Sequence, residues 1–303
     1  MLLRVVVLLA LVPVLAGFLA VPRVARRMPP ASASVLLTVF SLTVSSMTGL
    51  MLCLAALFGV IRLLPALRPH DWSAHTLYDQ VPIPAAVGVA AGVLAVVLLA
   101  RAGVHLVRVA RSMRRTAAAV AGLPVVNGLA IVDDPALYAY AVPGRRRLVV
   151  VSTGVLWQLS GPQRRALLAH EDAHLRHHHH LYVQLSRLAA AANPLMRPVA
   201  RAVASSLERW ADADAIRDVG DPAIVAHALG KVALASNATL PAQALGAARS
   251  DVVERVRDLL EPPTRRRRGG LALALGTMLC WASSAAVLLY VRNAVEIAEV
   301  VRH

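Results

Sequence analysis

Residues His170, Glu171 and His174 stand in the pattern His-Glu-x-x-His, inside the stretch LLAHEDAHLRHHHH of residues 167–180. On a helix, side chains four residues apart share a face, so the two imidazoles can close on one Zn²⁺ ion. Glu171 then lies beside that ion, placed to take a proton from a water molecule. A catalytic zinc uses three protein ligands and keeps a further position open. The first downstream candidate for the third is Glu208, in SSLERWADADAIRD. Asp212, four residues on, shares its face and can accept a hydrogen bond from a ligand imidazole, which fixes the tautomer of that ring. The competing reading makes Glu208, Asp212, Asp214 and Asp218 a solvated acidic face, with Arg209 and Arg217 as ionic partners. An apolar-flanked LERWADA close to a zinc-binding helix favours the ligand reading. Asp172 is expected to face away. His177 to His180 read as a polar helix end, where cations are favoured by the C-terminal dipole. His227 reads as a helix-surface residue rather than an oxyanion donor.

The elements that must position these groups follow from local signals. Ser160 is a plausible N-cap, with Pro162 in the first turn, for the helix that carries His170 and His174. Upstream, VVNGLAIVDD and LYAYAVPGRRRLVVVS are rich in β-branched and aromatic residues around Asn127-Gly128 and Pro143-Gly144. These predict a small antiparallel sheet, with the strand at 147–151 as the edge on which an extended peptide would pair. Downstream, helices are expected over 181–192, 197–217, 222–236 and 250–260, with Asn193-Pro194 as a break and Pro262-Pro263 closing the unit.

Around this unit the composition is that of a membrane protein: 57% of the 303 residues are hydrophobic, 16% are charged, and the mean hydropathy is +0.60. Four stretches, 5–21, 35–64, 83–100 and 271–291, are apolar over about the 20 residues that a helix needs to cross a bilayer. The first is read as a retained helix rather than a cleaved signal peptide, since its apolar run is long for a signal and three more spans follow. Arg23, Arg26 and Arg27, then Arg101, Arg108, Arg111, Arg114 and Arg115, then Arg265 to Arg268 fall on one side if the spans alternate. Cytoplasmic flanks collect arginine, so the expectation is a multi-pass membrane protein with both termini external and 101–270 in the cytoplasm. The net charge of +15 does not point to nucleic acid, because the Arg265–Arg268 run abuts a span and no recognition module accompanies it. Cys53 and Cys280 lie inside expected spans and read as small apolar residues, not a disulfide.

The run from HEDAHLRHHHHL through AANPL to ERWAD resembles the integral-membrane gluzincins, most closely the peptidase domain of the MecR/BlaR-type antibiotic-sensing transducers. The related HtpX/CAAX-protease family shares the zinc helix and the Glu-x-x-Ala-Asp pattern, while the Asn-Pro-Leu at 193–195 favours the former. The resemblance implies a fold of about four transmembrane helices with an inserted cytoplasmic α+β zinc-peptidase domain. Its boundaries would be 1–100 for three helices, 101–270 for the peptidase, and 271–303 for the fourth helix and a short tail. By position it implies His170, His174 and Glu208 as ligands of one zinc per chain, Glu171 as general base, and Asp212 as the support of a ligand imidazole. The expected activity is zinc-dependent endopeptidase cleavage of membrane or cytoplasmic regulatory proteins, with the lipid bilayer as the other partner and no nucleic acid. The alternatives are an HtpX-like quality-control protease and a non-catalytic zinc-bearing scaffold. Two departures stand out. The chain ends at His303, about a dozen residues after the fourth span, so β-lactam sensing through an appended sensor is not expected. His178-His179 also stands where the family often has a basic-Asp pair.

Overall fold

A computed structural model of the chain describes residues 21–300, apart from 68, 70–71, 145–146, 238–252, 254, 258 and 261–267. The first expected span, 5–21, and the arginines at 265–267 therefore lie almost wholly outside the described residues. Among the described residues, three helices are long and apolar enough to cross a membrane. They are α2 (Pro30–Leu63), α4 (Ala85–Ala119) and α10 (Arg268–Val300); a short helix α1 (Val21–Arg26) precedes them and α3 (Ala74–Gln80) lies between α2 and α4. At 1.5 Å per residue α4 is about 50 Å long, well beyond the roughly 30 Å of a hydrocarbon core. Its surplus is the basic stretch from Arg101 onward, continuous with the apolar part.

Where α2 and α4 cross, small residues let the backbones touch. A Cβ added to Gly59 or to Gly88 would lie 2.4 Å from the Cα of the other. Such close approach is how helices associate where lipid removes the hydrophobic incentive. Of the two cysteines, Cys280 is buried in α10 and Cys53 is exposed on α2, and both are free.

The sheet is three-stranded, with β1 (Leu129–Val132), β2 (Ala139–Val142) and β3 (Leu148–Ser152) in the order β1-β3-β2. The expectation of a purely antiparallel sheet is corrected here: β1 pairs parallel to β3, from Leu129 against Val149 to Val132 against Ser152. β2 pairs antiparallel, from Ala139 against Val151 to Val142 against Leu148. The cause is the link at 133–138, which crosses the end of β3 instead of turning back as a hairpin. It is pinned there by the Gly154 N–H donating to the Asp134 carbonyl at 2.9 Å and the Asp134 N–H donating to Thr153 Oγ1 at 3.0 Å. β3 is thus the buried central strand, not the edge that the sequence suggested.

After β3 come α5 (Thr153–Gln158), α6 (Gly161–Arg176), α7 (His179–Ala192), α8 (Arg197–Val219) and α9 (Pro222–Asn237). Ser160 caps α6 as expected, its N–H donating to Gln163 Oε1 at 3.2 Å. The helix does not run on to residue 180. His178 adopts left-handed backbone angles, φ 53° and ψ 40°, and starts α7 in a new direction. Asn193 ends α7 and accepts from the Leu195 N–H, opening a 3₁₀ turn at Pro194–Met196.

Two of the buried clusters position the helices around the cleft. Val149, Val151, Val155, Leu167 and Leu175 pack the sheet and α6 against Ala215 of α8 and Leu229 of α9. Leu37, Phe40 and Val44 of α2 pack with Leu273 of α10 against Met196, Val199, Val203 and Leu207 around and along α8. The helix that carries Glu208 is therefore half in the core beneath the sheet and half against the long apolar helices.

Candidate metal centre

α6 and α8 cross so that His170 and His174 face Glu208. His170 Nε2 and His174 Nε2 are 3.2 Å apart, and Glu208 places Oε2 at 3.6 Å from the first and Oε1 at 3.7 Å from the second. One ligand atom from each of the three lies within 4.8 Å of the others. Two donors on a tetrahedral zinc with bonds of about 2.0–2.1 Å stand roughly 3.3 Å apart, so the observed edges fit that ion with little adjustment. The helical i, i+4 spacing supplies the nitrogen pair, and Leu207, fully buried against α2, fixes the neighbouring carboxylate.

The far sides of the two imidazoles are held too. His170 Nδ1 lies 3.0 Å from Asp212 Oδ1, with both side chains almost completely buried. His174 Nδ1 lies 2.9 Å from Nδ1 of His179, which is 1% exposed. His179 packs against Trp210, and His177 stacks on the same indole at a ring separation of 4.4 Å while its Nε2 reaches Asp214 Oδ2 at 2.8 Å. The four-histidine run thus divides. His177 and His179 form the wall behind His174, His180 is half-buried and lines the cleft, and His178 makes the turn and is exposed, as a polar helix end would be.

Arg255, 43 residues after Asp212, was not singled out by any sequence signal. Its guanidinium straddles Asp212, at 2.7 and 3.2 Å, and reaches Glu208 Oε2 at 3.0 Å. A bidentate fork on one carboxylate and a second bond to its neighbour is a geometry that arginine, not lysine, can make. Asp172 points outward and pairs with Arg176 at 2.7 Å, as expected. His227 is an exposed residue whose Nδ1 bonds the Ala223 carbonyl, and it does not line the cleft.

The residues from 106 to 257 match the family described as Peptidase family M48. That stretch is half of the chain and contains all of the residues above. The chain belongs to peptidase family M48. M48 members are zinc-dependent metallopeptidases, which supports a membrane zinc metallopeptidase of the HtpX/BlaR kind and a protein substrate. No curated protein and no solved structure matches the chain.

In this M48 site Glu171 sits in a cleft of about 500 Å³, with His170, His174, Glu208 and Arg255 on one side and Ala139, Tyr140 and Ala141 of β2 on the other. Burial pushes the Glu171 carboxyl up to about 7, opposed by the charge of His170 and by a hydrogen bond from the Ala141 backbone. Burial drives His174 down to about 4. On His170 burial acts in the same direction, but its bonds to Asp212 and Glu208 reverse the effect and push it up to about 10. Burial would raise Glu208 and Asp212; His170 and Arg255 outweigh it and hold both carboxyls below their usual range.

β2 presents its free edge to this cleft. The Tyr138 carbonyl accepts from the Ser152 N–H, and by strand alternation Tyr140 and Val142 bond to β3 while Ala139 and Ala141 turn their main-chain groups outward. The Ala141 backbone bond to Glu171 fits that alternation.

Proposed function

We propose that this chain is a membrane-embedded zinc endopeptidase in which His170, His174 and Glu208 are the metal ligands and Glu171 is the general base. The observation that carries the reading is the meeting, in one cleft, of a three-donor cluster, a half-buried carboxylate and a strand edge that pairs with no other described strand. One zinc per chain, when bound, would polarise the scissile carbonyl and bring the pKa of the attacking water toward 7. Glu171 takes the proton of that water and delivers it to the leaving amine. Asp212 and His179 accept from Nδ1–H of His170 and His174, which leaves each Nε2 lone pair aimed at the centre. Arg255 balances part of the negative charge that Glu171, Glu208 and Asp212 bring together. An extended substrate would add as a strand along β2, through the outward groups of Ala139 and Ala141, with little demand on its sequence.

The peptidase unit is proposed to span 101–270, between a third and a fourth span, with the first at 5–21, and to face the cytoplasm. Substrates reachable from there are membrane proteins and cytoplasmic regulators, and cleavage of a defined regulator is the favoured role. A quality-control protease would differ in breadth, degrading many misfolded membrane proteins. A zinc-bearing scaffold would need the ligands and not Glu171.

Metal content and casein or self-cleavage, measured on wild type and Glu171→Gln in detergent, test the reading. The expected result is one zinc per chain in both and a loss of about 10²–10⁴-fold in cleavage in the variant. Zinc retained with equal cleavage in the two proteins would remove Glu171 from the chemistry.

A further inference from the structure

We propose that the arginine-lined cavity between α4, α7 and α8 is a binding site for the phosphate headgroup of an anionic phospholipid. It is about 330 Å³ in volume and is lined by Arg101, Arg187, Arg197 and Arg201 over a floor of alanines. The arginines elsewhere in the peptidase unit that meet carboxylates, Arg176, Arg217 and Arg255, form ion pairs. Among the described residues the cavity four form no ion pair with a carboxylate, and the one polar bond they make is from Arg101 Nε to the Ala191 carbonyl at 3.2 Å. Four guanidinium groups around one small space repel one another unless an anion joins them. The first turn of α8, which contributes Arg197, holds no acidic residue, and its dipole adds positive potential there.

The depth of the cavity selects a lipid over a soluble anion. Arg101 is the first charged residue of α4, directly after the apolar run from 85 to 100, so it marks the level where hydrocarbon gives way to headgroups. Val97 and Val104, on the same helical face as Arg101, are 49% and 48% exposed, and Leu195, two residues before Arg197, is 46% exposed. Phosphate at the arginines with acyl chains along these residues satisfies both surfaces, as basic pockets beside membrane helices do for anionic lipids. The site does not depend on the metal centre, although α7 and α8 connect it to His179 and Glu208.

Native mass spectrometry of the full chain in neutral detergent, with phosphatidylglycerol or phosphatidylcholine added, tests this. Wild type is expected to retain phosphatidylglycerol preferentially. Retention should fall about thirtyfold in Arg187→Gln/Arg201→Gln and about fivefold in Arg197→Gln alone, which serves if the double variant does not fold. Arg111→Gln/Arg114→Gln removes the same charge from the same protein outside the cavity and should keep the lipid. Inorganic phosphate that displaces the lipid would show that the arginines take phosphate from either source; phosphate without effect would make the acyl chains essential. Equal retention in wild type and the cavity variants, or an equal loss in the control, would overturn the proposal.

Discussion

Two helix crossings in this chain are built in opposite ways. α2 meets α4 backbone to backbone at Gly59 and Gly88, with no side chain between them. α6 meets α8 through His170, His174, Glu208 and Asp212, four ionisable groups within hydrogen-bonding or metal-bridging distance of one another. The first crossing is complete as it stands, since its stability comes from packing that needs no other partner. The second is conditional. Buried charges are costly unless paired, and Arg255 covers only the outer side of the two carboxylates. A dication between the imidazoles and Glu208 would complete it, so the part of the molecule proposed to do chemistry is also the part whose stability is expected to depend on a ligand.

Removing metal should therefore separate the two crossings, and this is the largest effect expected. At a zinc concentration a thousandfold above Kd, chelation should remove about 4 kcal/mol of stability from the peptidase unit. Thermal unfolding with and without chelator reads this, and an unchanged melting temperature would mean that the cluster holds no ion in the folded chain. Gly59→Ala makes the opposite cut. With Gly88 Cα 2.4 Å from the new Cβ the helices must separate, at about 1–3 kcal/mol. The variant should melt lower by the same amount with zinc present or absent. A changed zinc affinity in Gly59→Ala would show that the crossings are coupled.

His179→Ala sharpens the comparison inside the second crossing. Without the acceptor at Nδ1 of His174 the ring loses its fixed tautomer, and zinc affinity should weaken about 10–100-fold in a chelator-competition titration, with partial recovery in His179→Gln. Affinity equal to wild type would reduce His179 to filling beneath Trp210.

How far the sequence went follows from this residue and its neighbours. The His170–His174 pair is legible because it depends only on helical periodicity. Glu208 and Asp212 are legible because one further helix repeats that logic. His179 departs from the polar helix end that the sequence suggests: on an unbroken helix it faces away from His174, and only the left-handed turn at His178 brings it behind that ring. Arg255 reaches the site through tertiary packing, which no local pattern carries. The apolar spans were plain from composition, whereas the place of β3 in the sheet hung on where a six-residue link passes, and alternation of residue types says nothing about that.

The smallest effect is expected where the two crossings touch. Ser45, buried in α2, donates to the Ala189 carbonyl near the end of α7 at 2.9 Å, and Asn193 Nδ2 donates to Thr48 Oγ1 at 3.1 Å. With the bond from Arg101 Nε of α4 to the Ala191 carbonyl, these are the described polar links from the membrane pair to the helix that carries His179 and to its end. Ser45→Ala should cost about 0.5–1.5 kcal/mol, the net worth of one such bond, since the Ala189 carbonyl also accepts within its own helix end from the Asn193 N–H at 2.7 Å. If α7 is held mainly by its packing on α8, the variant lowers the melting temperature slightly and leaves zinc affinity unchanged. If the membrane helices set the position of His179, the same small loss appears in the zinc titration as well. The second outcome would make the unconditional crossing a support of the conditional one, and would place α7 as the element through which a change in the membrane reaches the metal.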